Sequence, residues 1–468
     1  MGGNLPALDR VLAAHFAGAV GGIHILPFYP SSGDRGFAPL TYEEVDPQFG
    51  TWADVTELSR EYQLTADFMI NHISRRSSYF QDYLAHGPNS AYKELFIRFS
   101  DFWPQGRPTA EDLAVIYKRK PRDPYIEIET PEGRTEQIWC TFDEEQIDLN
   151  LASVTARSEI ARWLTELVSR GPQILRLDAF AYTTKKPGTS CFFIEPDVWE
   201  ILAFVQQTVK PYGVEILPEV HEHYSMQLKL AEHGYPVYDF ALPMLLLHAI
   251  YTGETKPLAN WFDLCPRKQF TTLDTHDGIG VVDVRDLLSP EQIEQTRKAL
   301  FSNGANVKKR YNAPEYQNLD IYQINCTYYS ALGDNDQRYL LARAVQFFWP
   351  GVPQIYYVGM LAGSNDIALA EQTRVGRNIN RHNYSTAEIE QEARRPVVRA
   401  LTALMRFRNS YPAFAGHVEL QTPGEHRLHI RWQNGTAVAT LLADFSRALF
   451  EITYRDIESS RNRQLTLP

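Results

Sequence analysis

The feature that most constrains this chain is a repeated alternation of short apolar runs with amphipathic helical stretches. The runs IHILPFYP (23–30), ADFMINH (66–72), ILRLD (174–178), EILPEV (215–220), VYDFAL (237–242), FTTLDTHD (270–277) and PQIYYV (353–358) each suit a buried strand. Stretches such as WADVTELSREY (52–62) and YLLARAVQFF (339–348) read as the helices between them. Parallel strands with crossover helices over 468 residues predict an α/β fold, a (β/α)8 TIM barrel, with a doubly wound sheet as the weaker alternative. Within ILRLDAF (174–180), Arg176 and Asp178 stand two apart and therefore on one face of the strand. Taken alone, such a pair is a structural ion pair.

Two intervals are too long for simple crossovers. Residues 78–148, rich in aromatic and charged side chains, read as an insertion after the third strand, and residues 279–335, with the basic segment NVKKRY (306–311), as a second one. The barrel parts are then 1–77, 149–278 and 336–407, and the alternating patterns HRLHIRW (426–432) and TAVATLLADF (436–445) predict a C-terminal β domain over 408–468. Residues 1–20 read as loop and helix, which leaves the first barrel strand unaccounted for and two readings open: the written start is late, or the barrel is incomplete. An unpaired barrel edge predicts poor solubility or low activity, and a version with upstream residues restored is expected to be more heat-stable.

Composition is that of a globular protein, with 44% hydrophobic and 22% charged residues. The formal net charge of −11 argues against nucleic acid and acidic membranes as partners, so any bound anion requires a local basic cluster. Cys140, Cys191, Cys265 and Cys326 lack metal-site spacing and read as free thiols. There is no signal-peptide pattern at the N-terminus and no run of eighteen apolar residues, which predicts a cytoplasmic protein without membrane contact. No Gly-rich phosphate loop or other cofactor motif is present, so no cofactor is expected.

The strand ends carry polar groups: Asn71 and His72, Arg176 and Asp178, Glu219 and His221, and Asp274, His276 and Asp277. In a parallel barrel these ends form one rim, and three carboxylates there (Asp178, Glu219, Asp277) favour catalysis over three separate structural groups. The motifs NH (71–72), RLDAF (176–180), LPEVH (217–221) and THDGIG (275–280) resemble, in order, the four barrel-strand motifs of the α-amylase superfamily. Further stretches, HILPFYPSSGDRGFAPLTYEEVDPQFGTW (24–52), GTSCFF (188–193), QINCTYYSAL (323–332), VPQIYYVGMLAGSND (352–366) and INRHNYS (379–385), are similar to its sucrose phosphorylase subfamily.

That resemblance implies residue roles. Asp178 matches the nucleophile, Glu219 the general acid/base and Asp277 the transition-state stabiliser of a retaining double displacement. Such a mechanism needs Asp178 ionised and Glu219 protonated, and Arg176 supplies the opposite charge that favours the first. His72 and His276 match hydroxyl-binding residues of the glucose pocket, Asp34 and Arg381 a pair closing its far end, Phe37 and Phe142 its aromatic walls, and Gln146 a further polar contact. Phosphate is expected to intercept the glucosyl-enzyme, with Lys118, Arg119, Lys120 and Arg122 of YKRKPRDPY (117–125) as candidate ligands, and Tyr322 and Gln323 of NLDIYQIN (318–325) opposite. The resemblance further implies no metal, small-molecule partners only (a glucosyl disaccharide and inorganic phosphate), and allows a homodimer.

The leaving group stays open at this point. Asp320-Ile321-Tyr322-Gln323 is similar to sucrose phosphorylases, whereas NHISRRS (71–77) and Arg119 look more like the branches acting on sucrose 6'-phosphate or glucosylglycerol. An α-glucosidase or transglucosidase, and an inactive sugar-binding protein, are the other readings. A phosphate requirement for turnover separates the first of these from a phosphorylase, and the carboxylate trio argues against the second.

Overall fold

The computed structural model describes the chain except Pro121, Glu132, residues 306–321, Thr422, Pro423, Glu458 and Ser460. The basic segment 306–311 and the pair Asp320-Ile321 therefore lie outside the described residues. Two compact units are present, one formed by Asn4–Pro6 and Gly22–Val220, the other by Met1–Gly3, Ala7–Gly21 and His221–Pro468.

In the first unit the strands are β1 (Gly22–Ile25), β2 (Gln63–Met69), β3 (His72–Ser74), β4 (Tyr125–Glu129), β5 (Thr135–Trp139), β6 (Gln146–Asp148), β7 (Ile174–Asp178) and β8 (Glu215–Pro218). A parallel sheet runs β1-β2-β7-β8. β2 is buried from Leu64 to Met69, as a strand covered on both faces should be, which explains its nearly continuous apolar sequence. The register sets Asp67 opposite Arg176 and Met69 opposite Asp178. That register is the first step in building the site.

The crossover helices obey the same local rules. Helix Trp52–Glu61 opens on a capping box in which the Thr51 hydroxyl accepts from Asp54 N, while Asp54 accepts from Thr51 N at 2.7 Å. Helix Val154–Val168 is capped by Ser153 and buries Ala156, Ile160, Trp163, Leu164 and Leu167, the stripe that a 3.6-residue period predicts. Leu164 is fully buried, so Leu164→Ala costs about 3 kcal/mol through lost transfer energy and the cavity left behind. Residues between β3 and β6 hold the antiparallel hairpin β4–β5 and a separate apolar cluster of Ile97, Phe99, Trp103, Ile116 and Trp139, which Cys191, after β7, completes.

The second unit contains β9 (Val237–Asp239), β10 (Gln269–Thr272), β11 (Ile279–Gly280), β12 (Gln323–Ile324), β13 (Val352–Gln354), β14 (His417–Gln421), β15 (Arg427–Asn434), β16 (Ala437–Asp444), β17 (Leu449–Arg455) and β18 (Asn462–Gln464). β9, β10 and β13 form a parallel sheet in the order β13-β10-β9, and β14 to β18 an antiparallel meander. In β15 and β16 the buried residues alternate, Leu428, Ile430 and Trp432 on one strand and Ala437, Ala439, Leu441 and Ala443 on the next, as strands with one covered face require. All four cysteines are free and buried. No helix among the described residues is long and apolar enough to cross a membrane.

Candidate active site

In the first unit the site is organised by one buried guanidinium. Arg176, 3% exposed, places Nη1 2.5 Å from Asp67 Oδ1 and 2.9 Å from Asp178 Oδ1, with Nη2 3.8 Å from Glu219 Oε1. Asp67 has no exposure and also meets His24 Nε2 at 2.8 Å, whereas the Asp178 and Glu219 side chains keep 14% and 12%. Asp67 is thus the internal counter-charge, and the other two carboxylates retain open faces. Ala179 adopts a left-handed backbone (φ 52°, ψ 30°), which a non-glycine residue holds at a cost of about 1 kcal/mol. That turn lets Ala179 N donate to Glu219 Oε2 at 3.1 Å, fixing the carboxylate two strands' ends together.

Asp67 was not among the residues singled out from the sequence. Its signal is a lone carboxylate inside the apolar run ADFMINH, which a buried strand tolerates only beside a cation. Arg176, its register partner, is that cation.

The wall beside this cluster is rigid. Phe37 O lies 2.9 Å from both His72 Nε2 and Gln146 Nε2, and Gln146 Nε2 is 3.0 Å from His72 Nε2. Gln146, expected as a polar contact of the pocket, is buried and holds His72 and the Phe37 carbonyl in place. Burial pushes the His72 pKa down, against the pull of Asp148, so its imidazole is neutral near pH 7. The Phe142 ring sits 5.5 Å from His72 and 5.0 Å from Tyr182. Asp34 begins a short turn with φ 44°, followed by Gly36, where a Cβ would stand 2.5 Å from Pro27 O. Only glycine closes that turn.

Below the wall the Lys185 ammonium fills a cage of oxygens: Tyr182 O at 2.6 Å, Asp148 Oδ2 at 2.8 Å and Asn71 Oδ1 at 2.9 Å. A protein cation therefore occupies the oxygen cluster around the NH motif.

The basic run sorts itself. Lys118 pairs with Asp123 at 2.8 Å. Arg122 donates to Tyr125 O at 2.7 Å, Phe142 O at 3.1 Å and Asp123 O at 3.2 Å, so it braces the loop from inside. The Arg122 guanidinium is thus committed within the loop, whereas Lys118 is held by a single ion pair. Lys120 stands 3.9 Å from Asp143, and the Arg119 guanidinium lies 6.0 Å from the centre of the Tyr182 ring. Arg119 also lines a cleft with Tyr117, Trp139, Thr141 and Tyr182.

In the second unit the arrangement is inverted, with one carboxylate among several cations. Asp277 has Arg377 Nη1 at 3.4 Å, His276 Nε2 at 3.5 Å and Arg381 Nη2 at 3.6 Å, and a His221 ring nitrogen within 4.8 Å. Burial alone would raise the Asp277 pKa, but His276, Arg377, Arg381 and His221 outweigh it and hold the carboxyl well below the usual carboxylate range. Arg381 is tied by Nε to His276 O at 2.5 Å, and Asn380 Nδ2 to Asp277 O at 2.5 Å. Asp274, on the same strand end, is committed to the fully buried Arg343 at 2.7 Å and belongs to the core.

Tyr322 and Gln323 come to this carboxylate through a two-stranded ribbon. β11 pairs with β12, Val281 N donates to Tyr322 O at 3.0 Å, and Gly278 N meets Gln323 Oε1 at 3.4 Å. Gly278 is required there, since a Cβ would lie 2.8 Å from Ile324 O. The Tyr322 ring stands edge-on to His221 at 5.9 Å.

Known proteins share this framework. Residues 19–231 match the α-amylase catalytic domain family. The chain is 51% identical to a sucrose phosphorylase of Streptococcus mutans, over 98% of this chain and 96% of that one. It is 43% identical to a glucosylglycerol phosphorylase of Marinobacter adhaerens, over 99% and 96%. The crystal structure of sucrose 6F-phosphate phosphorylase from Thermoanaerobacter thermosaccharolyticum superposes with a TM-score of 0.95 at 40% identity, covering all of this chain and 96% of that one. With its TIM-barrel core and C-terminal antiparallel sheet, the chain belongs to the α-amylase family, among the glycoside phosphorylases, enzymes that transfer glucosyl groups.

Proposed function

We propose that the protein is a retaining sucrose phosphorylase, converting sucrose and phosphate to α-glucose 1-phosphate and fructose. The observation that carries the reading is the Arg176 cluster, in which two carboxylates with open faces, Asp178 and Glu219, share a guanidinium anchored by Asp67. In the first step an Asp178 oxygen attacks the glucosyl C1, the C1–O bond to fructose breaks, and the Glu219 proton goes to the departing oxygen. In the second step a phosphate oxygen attacks C1, the C1–Asp178 bond breaks, and the phosphate proton passes to Glu219. Both groups return to their starting state. Asp277, held anionic by its cations, stabilises the oxocarbenium-like transition states.

The same reading gives His72, His276, Asp34 and Arg381 to the glucose hydroxyls and Phe37 and Phe142 to the pocket walls, with Gln146 supporting them. Arg119, Lys120, Tyr322 and Gln323 go to the acceptor side. It keeps residues 78–148 and 279–335 as insertions, the cytoplasm as the compartment, and activity without a metal. The Lys185 ammonium, seated among three oxygens, supports that last point, and a chelator is expected to leave turnover unchanged.

A second reading, phosphorolysis of sucrose 6'-phosphate or glucosylglycerol, is favoured by the 0.95 superposition and by the 43% relative. One assay decides: phosphate with sucrose, sucrose 6'-phosphate, glucosylglycerol or glucosylglycerate in parallel, measuring α-glucose 1-phosphate. Sucrose is expected to give the highest kcat/KM. A faster reaction with another donor moves the assignment to that donor, and turnover indifferent to phosphate makes the enzyme a hydrolase or transglucosidase.

A further inference from the structure

Asp283 is a buried carboxylate that the proposed chemistry does not use. It lies in the turn Val282–Val284 with no exposure, and neither carboxylate oxygen has a hydrogen-bond partner among the described residues. Its ion-pair partner is His221, whose Nδ1 stands 3.9 Å from Asp283 Oδ2. A carboxylate in such a position is costly unless a nearby cation or donor compensates it. The backbone nevertheless makes room for it, since a Cβ on Gly280 would come within 2.1 Å of Asp283 Oδ2. The second glycine of THDGIG thus exists to admit this side chain.

His221 is held on its other sides. Its ring stacks on Phe240 with centroids 3.6 Å apart and planes 18° from parallel, and Tyr322 closes one edge. Phe240 follows β9, Tyr322 precedes β12 and Asp283 follows β11, so three segments fix one imidazole. A slight turn of the ring brings Nδ1–H to the carboxylate, and such contacts commonly tighten when ligand binds.

We propose that Asp283 is a positioning residue that orients His221 as a two-donor imidazolium. Nδ1–H is directed at Asp283, and Nε2–H donates to an oxygen of the phosphate that takes the glucosyl group beside Asp277. The proposal rests on the phosphorolysis reading above. A carboxylate behind an imidazole favours its charged form and fixes the ring's direction, so the far nitrogen also carries a proton to donate to an anion. The chemistry recognised is that of a phosphate oxyanion.

The test uses the full-length enzyme with two readouts: steady-state phosphorolysis over a range of phosphate, and fluoride release from α-glucosyl fluoride, which reports glucosylation alone. Asp283→Asn is expected to raise the phosphate KM about tenfold, with fluoride release changed by about threefold or less. His221→Gln is expected to raise the phosphate KM similarly, and the double variant to show no further rise, because the two residues act as a unit. An unchanged phosphate KM in either single variant, additive effects in the double, or a parallel loss of both activities with melting temperature would overturn the role. Should Asp283→Asn fail to fold, His221→Gln alone still decides, since an unchanged phosphate KM there removes the ligand that Asp283 is said to orient. Wild-type turnover that ignores phosphate overturns the phosphorolysis reading, and this role with it. Phosphate-dependent wild-type turnover with an unchanged KM in Asp283→Asn overturns the role alone.

Discussion

The two carboxylate clusters are built on opposite stoichiometries. Around Arg176 one cation serves Asp67, Asp178 and Glu219, whereas around Asp277 two arginines and His276 face one carboxylate and His221 is shared between Asp277 and Asp283. A chain with a net charge of −11 therefore contains a local surplus of positive charge beside Asp277. Net charge governs long-range association, while the sign of a site follows from the few side chains that its strand ends deliver. Three anions competing for one guanidinium suit groups that bond or exchange a proton during a reaction. One anion ringed by cations suits a fixed charge, near which a second anion such as phosphate can be accommodated.

The largest effect is expected where the competing carboxylates act. Asp178→Ala is predicted to lower kcat/KM by about four orders of magnitude, because it removes the covalent step entirely, and Glu219→Gln to rank next with poor leaving groups. Steady-state kinetics on sucrose check both, and near-wild-type activity in Asp178→Ala would break the comparison at its base.

Lys185 offers a control for both clusters, being one buried ammonium with one carboxylate and two neutral oxygens. Lys185→Met leaves Asp148 buried without its cation, so unfolding free energy is predicted to fall by about 3 kcal/mol, measured by urea titration. A smaller change would show that Asp148's bonds from Thr141 N and Oγ1, and from Asn71, already suffice.

Asp67→Asn tests whether the anchor of Arg176 matters to chemistry or only to folding. It is predicted to reduce kcat by about 10- to 100-fold, as loss of an orienting partner does, with KM for sucrose changed less. Equal loss of kcat and thermal stability with restoration at low temperature would make Asp67 purely structural.

The mildest changes concern Asp277. Its folded pKa lies below the unfolded value of about 3.9, so it contributes stability that is complete above that value and is lost progressively as pH falls from there through the folded pKa. Acid unfolding of Asp277→Asn, followed by circular dichroism below about pH 4, is therefore predicted to be less steep than that of the wild type. Arg377→Gln should cost about threefold or less in kcat/KM, since its side chain is 39% exposed and water screens much of its interaction.

Much of this was legible in the sequence because strand ends and motifs are local. ILRLD forms β7 as the periodicity predicts, ADFMINH holds the end of β2, FTTLDTHD is strand only as far as Thr272, and Arg176 does meet Asp178 on one face of β7. What was not legible is pairing across strands. Asp67 and His24 reach the site through a register between β1, β2 and β7 that no single stretch encodes. The run YKRKPRDPY presents four similar cations, and only the fold distinguishes Arg122, spent on carbonyls inside the loop, from Arg119 beside the Tyr182 ring. Asp283 was hidden for the same reason, since its partner His221 lies 62 positions earlier in the chain.

The central claim is that a glucosyl group passes through Asp178 to phosphate with retention. The most direct measurement is intact-protein and peptide mass spectrometry of Glu219→Gln loaded with α-glucosyl fluoride, followed by addition of phosphate. The account predicts one glucosyl residue on the peptide carrying Asp178, discharged by phosphate as α-glucose 1-phosphate. An adduct elsewhere, or release of the β-anomer, would contradict it.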